Sequence, residues 1–270
     1  MEAEREGLAW QIGIWDRIAD IYRSEIDKRF APVVEGVISR ASLRPGDDVV
    51  DVGTGTGSVA LRAAAAVVPG GRVLGIDISP EMLTLAQRCA GGLALDNVSF
   101  REGRAEVIPA GDAEFDVLLA SLSFMYAIDR ATAARESARV LRPGGRFVAA
   151  VWAGPERCDI VLLQQTAGRF APPPPVPGVG PGALADASAF LAQLADSGID
   201  AHVETETLGF DFPDFASAWE VLAGVTTANL PPERQQEAKA AALEAMWPTG
   251  DGPRHFRNGT QFIVGERRGA

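Results

Sequence analysis

Two cysteines, Cys89 and Cys158, two histidines, His202 and His255, and two tyrosines, Tyr22 and Tyr126, are all that 270 residues hold of these reactive side chains. The cysteines lack metal-ligand spacing, so no metal site is expected, and in a reducing compartment they read as free thiols. No apolar stretch reaches the roughly 18 uninterrupted residues of a membrane span. The opening Met1-Glu2-Ala3-Glu4-Arg5 lacks the basic-then-apolar order of a secretory signal. The expectation is a soluble, cytoplasmic protein. Positive charge is scarce too: 25 Lys and Arg against 36 Asp and Glu leave a net charge of −11. Such a field repels a phosphate backbone, and no basic stripe with interleaved aromatics offsets it, which excludes nucleic acid as a partner. The basic pieces at 254–257 and 267–268 read as solvated chain.

What is present is an apolar content of 47%, enough for a full core: one domain with a cap. Within it, Val49-Val50-Asp51-Val52-Gly53-Thr54-Gly55-Thr56-Gly57 is an apolar strand ending in alternating glycines. Glycine there can take positive φ in a tight strand-to-helix turn and lets a ligand approach the backbone. The helix formers from Ser58 onward would aim free N–H groups at that ligand. The dinucleotide fingerprint wants a glycine where Ser58 stands, which argues against a nicotinamide or flavin. A second short strand ends in Asp77, where a carboxylate can accept both hydroxyl protons of a ribose. Both features point to a nucleoside-bearing cofactor.

Five blocks carry a wider likeness: VVDVGTGTG at 49–57, VLGIDISPEML at 73–83, FREGRAEVIP at 100–109, FDVLLASLSFMYAID at 115–129 and RVLRPGGRFVAAVW at 139–152. In order and spacing the chain resembles the class I S-adenosylmethionine-dependent methyltransferases, in particular the ubiquinone/menaquinone-biosynthesis (type 11) group. The resemblance implies a Rossmann-like α/β fold: a doubly wound seven-stranded sheet, mostly parallel, with an antiparallel C-terminal edge hairpin. It implies S-adenosylmethionine as cofactor, with S-adenosylhomocysteine as product. Gly53, Gly55 and Gly57, with Asp51 and Thr54 in the same block, would serve the methionine part, and Asp77 the ribose. Ile78 and Met82 would pack on the adenine, Gly103, Ala105 and Glu106 would lie at its edge, and Ala120 and Ser121 would face the methionine end. An N-terminal segment with Trp15, Asp16 and Tyr22 would fold over the cofactor, Tyr22 touching it. The family often has aspartate where this chain has Arg104; an arginine cannot accept a hydrogen bond from the adenine amino group, which leaves backbone groups or Glu106.

Along the chain, 1–42 reads as a helical lid, broken near Pro32, and 43–270 as the methyltransferase domain. Strands are expected at 48–52, 72–77, 98–102, 115–120 and 146–152, alternating with helices at 58–67, 80–89 and 131–141, the order of a parallel sheet covered on both faces. Ligands in such sheets bind beyond the carboxyl ends of the strands. The proline-glycine run 171–182 reads as a connector with some flap character. A helix at 186–197 and strands at 202–210 and 261–265 follow. Between the last two strands lies a helical cap at about 211–250, in which Phe212, Trp219 or Trp247 could wall a substrate.

Methyl transfer from a sulfonium asks the protein mainly to align acceptor and methyl and to exclude water. Candidate acid–base or orienting groups are Tyr126, Asp129 and His255, the last placed in a loop 250–259 that could reach the cleft. Tyr126 suits orientation by hydrogen bonding better than base catalysis, and Asp129 could equally cap a helix. The expected acceptor is a small, largely apolar metabolite such as a quinone, phenol or polyketide-like molecule, methylated at oxygen or carbon. A protein that keeps the fold but acts as a cyclase or binding module is the alternative. A homodimer is compatible with the sequence. Arsenite methylation calls for more thiolates than the chain has.

Overall fold

The strand-and-helix alternation closes into one seven-stranded sheet. In the computed structural model, which describes residues 2–269, the strands are β1 (Asp48–Val52), β2 (Arg72–Asp77), β3 (Val98–Glu102), β4 (Phe115–Ser121), β5 (Leu141–Trp152), β6 (Ile199–Phe212) and β7 (Arg254–Arg267). Their spatial order is β3-β2-β1-β4-β5-β7-β6. The first five are parallel, while β7 runs antiparallel to β5 and β6. The chain order doubles back beside β1, so the carboxyl ends of β1 and β4 border the crevice where such sheets bind ligands. Val49 and Val50 in β1, and Val117, Leu118 and Leu119 in β4, are fully buried, as central strands covered on both faces must be.

The covering helices are α3 (Ser58–Ala66), α4 (Pro80–Gly92), α5 (Arg130–Val140), α6 (Asp159–Gly168) and α7 (Ser188–Asp196). Alanines line the sheet side of α3: Ala60, Ala63 and Ala64 are fully buried, and their small side chains bring helix and sheet close. Helix α4 starts on Ser79, whose hydroxyl accepts from the Met82 N–H at 3.1 Å, with Pro80 in the first turn, a favourable N-terminus.

The N-terminal helices are α1 (Glu2–Ile21) and α2 (Asp27–Ala41), joined by a π-helical turn at Tyr22–Ile26. The break therefore comes before Pro32, which lies inside α2. Helix α2 sinks Val33, Val34, Val37 and Ala41 into the main core, whereas Ile14, Ile18 and Ala19 of α1 form a separate cluster with Met82. The cap is α8 (Phe215–Leu222), a short α9 (Gly224–Thr227) and α10 (Pro232–Met246).

Two edges differ from the sequence expectation. Arg142 to Gly145 is an excursion inside β5, since Phe115 pairs Leu141 and Val117 then pairs Arg146, with Gly144 at φ +77. Strands β6 and β7 pair over their whole lengths, from Ile199 with Arg267 to Phe212 with Arg254. The long ribbon absorbs the loop expected at 250–259. Its outer end is held by aromatic packing, Phe210 on Phe256 at 5.9 Å and Phe212 on Phe256 at 5.1 Å between ring centroids, which period-2 reading of a short apolar segment does not reveal.

Candidate active site

At the end of β1 the N–H groups of Gly53 and Thr54 both donate to the Ile76 carbonyl, at 2.9 and 2.8 Å, tying the glycine turn to β2. Gly53 has φ +71, and a Cβ there would fall 2.3 Å from that of Ser123. No other residue fits. Gly55, at φ +54, is different: a Cβ would enter open space, the concave floor that a ligand can fill. Beneath the turn, Asp51 accepts from the Thr54 hydroxyl at 2.7 Å and the Ala60 N–H at 3.1 Å. It is buried, its other oxygen has no partner, and burial pushes its pKa up to about 7.

Asp77, at the end of β2, accepts from the Gly55 N–H at 2.8 Å and the Ser79 N–H at 3.0 Å, one on each carboxylate oxygen. A carboxylate offers about four acceptor positions, so two remain for a vicinal diol. Burial raises the Asp77 pKa, against the hydrogen bonds that lower it. The cleft above encloses about 730 Å³, part of it open to solvent. Ile78 and Met82 form one side; Gly103, Ala105 and Glu106 form another. Glu106 is itself anchored, accepting from the Ile128 N–H at 2.6 Å and the Asp129 N–H at 3.1 Å.

Helix α1 covers this cleft. Leu8, Gln11, Trp15 and Tyr22 line it, a stripe at the three-to-four-residue helical interval. Asp16 accepts from the Ser79 hydroxyl at 2.6 Å, Asp27 from the Thr56 hydroxyl at 2.7 Å, and Glu4 from Arg104 at 2.7 Å. The Arg104 guanidinium holds the Glu4 carboxyl below its usual pKa. Arg104 thus ties the lid to the β3–β4 connection. The proline-rich stretch is also tied down: the Gly180 N–H donates to the Met125 carbonyl at 3.0 Å, and Arg130 to the Gly178 carbonyl at 2.6 Å. It is a fastened strap.

Behind the first cleft lies a second chamber of about 400 Å³. Trp15, Tyr22, Leu122 and Tyr126 line both. Trp15 meets Tyr126 edge-to-face at 4.9 Å and Tyr22 at 6.5 Å. Leu122 has φ +60, a backbone conformation costly for a branched side chain and the kind of strain held where surrounding structure enforces it. The remaining wall is apolar, from Ile26, Phe30, Met125, Trp152 and Ile160, with Leu222 and Val225 from the cap and one amide, Gln164. Burial raises the pKa of Tyr22 and Tyr126 well above that of a free phenol, so both are neutral hydroxyls rather than bases.

The structure brings Tyr22, Gly53, Gly55, Asp77, Ile78, Met82, Gly103, Ala105, Glu106, Ser121 and Tyr126 to the cleft wall. Other expected residues stand outside that wall. Asp51 and Thr54 sit beneath the turn; Gly57 begins α3 with its Cβ position 3.2 Å from Ala86; Ala120 is buried within β4. Asp129 caps α5, accepting from the Thr132 N–H at 3.0 Å, and the Thr132 bonds lower its pKa, the reverse of what a base requires. His255 lies on β7 at the outer ribbon, where its Nδ1 meets Asp211 at 2.8 Å, 57% exposed. In the cap, Phe212 packs on Phe210 and Phe256, and Trp247 on Phe215; neither these nor Trp219 reach the chambers, which the cap walls with Leu222 and Val225 instead. Sequence reasoning missed Gln11, Leu122, Ser123 and Gln164. The first was findable from the helical stripe with Leu8 and Trp15; the others depend on tertiary closure.

The donor set fits a sulfonium nucleoside: a side-chain-free floor at Gly55, a carboxylate at Asp77 with acceptor positions to spare, and an apolar side formed by Ile78 and Met82. Fold and cleft together define a Rossmann-like α/β domain with a ligand cleft at the carboxyl ends of β1, β2 and β4. Residues 50–149 match the family model described as "Methyltransferase domain". A nocamycin O-methyltransferase from Saccharothrix syringae is 40% identical over 136 residues, 50% of this chain and 48% of the relative. An uncharacterized Mycobacterium tuberculosis protein, Rv1403c, is 34% identical over 143 residues, 53% of this chain and 48% of its own length. The chain spans about half the length of the curated relatives it matches. Among solved structures, the YcgJ protein of Bacillus subtilis has a TM-score of 0.67 at 22% identity, covering 89% of this chain and 100% of that one. Geranyl diphosphate C-methyltransferase from Streptomyces coelicolor, in complex with Mg²⁺, geranyl-S-thiolodiphosphate and S-adenosyl-L-homocysteine, has a TM-score of 0.55 at 18% identity, covering 88% of this chain and 76% of that one. These structures share the fold.

Proposed function

We propose that the protein transfers a methyl group from S-adenosylmethionine to an oxygen or carbon of a small, largely apolar metabolite. The observation that carries this reading is the shared wall: Trp15, Tyr22, Leu122 and Tyr126 stand between a nucleoside-shaped cleft and a separate apolar chamber. In-line displacement needs donor and acceptor to meet at one narrow place from which water is kept out. The donor supplies a methyl already activated on sulfur. Asp77 and the glycine turn hold its nucleoside and amino-acid ends, and α1 closes over it. Tyr22 and Tyr126, as neutral hydroxyls, orient the acceptor or bear part of its negative charge. No carboxylate or histidine lines the second chamber, so the acceptor is one that ionises readily or needs no base: an enol, a phenol or an activated carbon. Likeness to a nocamycin O-methyltransferase over half the chain supports oxygen.

Calorimetry with S-adenosylmethionine and S-adenosylhomocysteine is the direct test. Failure of both to bind at about 1 mM, where even a −4 kcal/mol interaction registers, would remove this reading. An assay with isotopically labelled donor and a metabolite extract then identifies the acceptor. The same dearth of bases favours a second reading, a cyclase on this fold. Product mass separates the two, since each methyl adds about 14 Da and cyclisation adds none.

A further inference from the structure

One polar atom in the inner chamber lacks an explanation. Gln164 projects from α6 into a wall that is otherwise aliphatic and aromatic, and it is 7% exposed. Its Nε2 is directed at the Leu222 carbonyl at 3.5 Å, and its Oε1 is buried with no hydrogen-bond partner. The carbonyl fixes the sense of the amide, because turning it over would set two acceptors against each other. A buried acceptor without a donor is costly unless something supplies one. A packing role alone would be met by leucine or methionine, which fill the same space with no polar atom to satisfy.

The chamber's other side-chain polar groups are the hydroxyls of Tyr22 and Tyr126, in the wall shared with the cofactor cleft, and the indole N–H groups of Trp15 and Trp152, which are donors only. The amide belongs to the inner chamber alone. An acceptor molecule lying between them meets hydroxyls at its reacting end and a single hydrogen-bond acceptor away from that end, with Phe30 and Trp152, edge-to-face at 5.4 Å, on its flanks.

We infer that Gln164 is a specificity-determining residue: its Oε1 accepts a hydrogen bond from a second hydroxyl or N–H of the substrate, distinct from the group methylated. The inference rests on the methyltransferase reading above and narrows it to uncharged aromatic or polyketide-like acceptors with two separated polar groups. A site built around such a bond discriminates against the analogue lacking the donor, because the buried acceptor is then left unpaired.

The test uses the full chain saturated with S-adenosylhomocysteine and two probes, 1,5-dihydroxynaphthalene and 1-naphthol, with binding read by calorimetry. The wild type is expected to bind the diol at least about tenfold more tightly. Gln164→Leu and Gln164→Met should bring the two probes to within about twofold of each other, while S-adenosylhomocysteine affinity stays as in the wild type. Equal binding of both probes by the wild type, binding of neither, or a preference that survives in both variants overturns the inference. Absence of S-adenosylhomocysteine binding in the wild type overturns the methyltransferase reading instead. Wild-type binding alone decides the matter if either variant fails to fold.

Discussion

Two buried aspartates stand two turns of sequence logic apart and titrate for different ends. On the proposed function, Asp77 must be ionised to accept both hydroxyl protons of a ribose, yet burial raises its pKa. Cofactor affinity is therefore full above that raised value and falls as pH drops through it, starting above the roughly 3.9 of a free aspartate. Asp77→Asn should weaken S-adenosylhomocysteine binding about 10- to 100-fold, as expected for charge-assisted hydrogen bonds, and flatten the acid limb of affinity against pH, both read by calorimetry. Asp51 acts on stability. Its pKa is about 7 in the fold and about 3.9 unfolded, so between these values the unfolded chain releases a proton that the folded one keeps. Stability contributed by the protonated form is fully present below the lower value and is lost as pH rises to the upper. Asp51→Asn should remove up to a few kcal/mol of that decline, seen as urea midpoints that change less between about pH 5 and 7. The place of Asp77 at the cleft wall was legible because strand end, acid and spacing coincide. The burial of Asp51 and the unpaired amide of Gln164 were not, because both arise from what other segments place against them.

Elements followed their local signals wherever one face met one neighbour. Helices α3, α4 and α5 and strands β1 to β4 lie within three residues of the expected bounds, since apolar periodicity and caps such as Ser79 and Asp129 act within the segment itself. The misreadings cluster where pairing is long-range: the pairing of Leu141 ahead of the turn at 142–145, the extension of β7 to Arg254, and the cap, whose aromatics pack on the ribbon rather than on the inner chamber. Helix α1 is the instructive intermediate case. Its amphipathic pattern was readable, but its grip on the domain includes two polar contacts, Asp16 with Ser79 and Glu4 with Arg104, whose partners come from two different connections. Asp16→Ala removes the acceptor of the Ser79 hydroxyl and should loosen the lid by about 1.5–3 kcal/mol, the range for a hydrogen bond to a charged group. The expected outcome is faster proteolysis within residues 2–21, less protection by S-adenosylhomocysteine, and an almost unchanged urea midpoint for the sheet. A midpoint falling as far as the lid stability would mean that α1 and the sheet unfold together.

At the scale of the molecule, the cores divide the chain differently from its helices. Helices α1 and α2 are nearly continuous, yet α2 is buried in the main core with the sheet, while α1 rests on a small cluster around Met82. Met82 also lines the cofactor cleft, so the patch that holds the lid is the patch a bound nucleoside would complete. A lid with its own minor cluster can open without unfolding the sheet, as sites that admit and release ligands require. Its closure is then linked to occupancy, because a ligand held by both lid and sheet stabilises the closed state by its differential affinity. Native-state hydrogen exchange tests this directly. Amides of α1 are expected to exchange through local opening, at rates insensitive to low urea, and those of α2 only through global unfolding, with the full urea dependence. Saturating S-adenosylhomocysteine at about 100 times its dissociation constant should slow α2 by about 2.7 kcal/mol. The same addition should bring the urea dependence of α1 close to that of α2. If α1 instead kept its fast, urea-insensitive exchange with ligand bound, its opening would be independent of occupancy and the helix would not be an element that closes over the ligand.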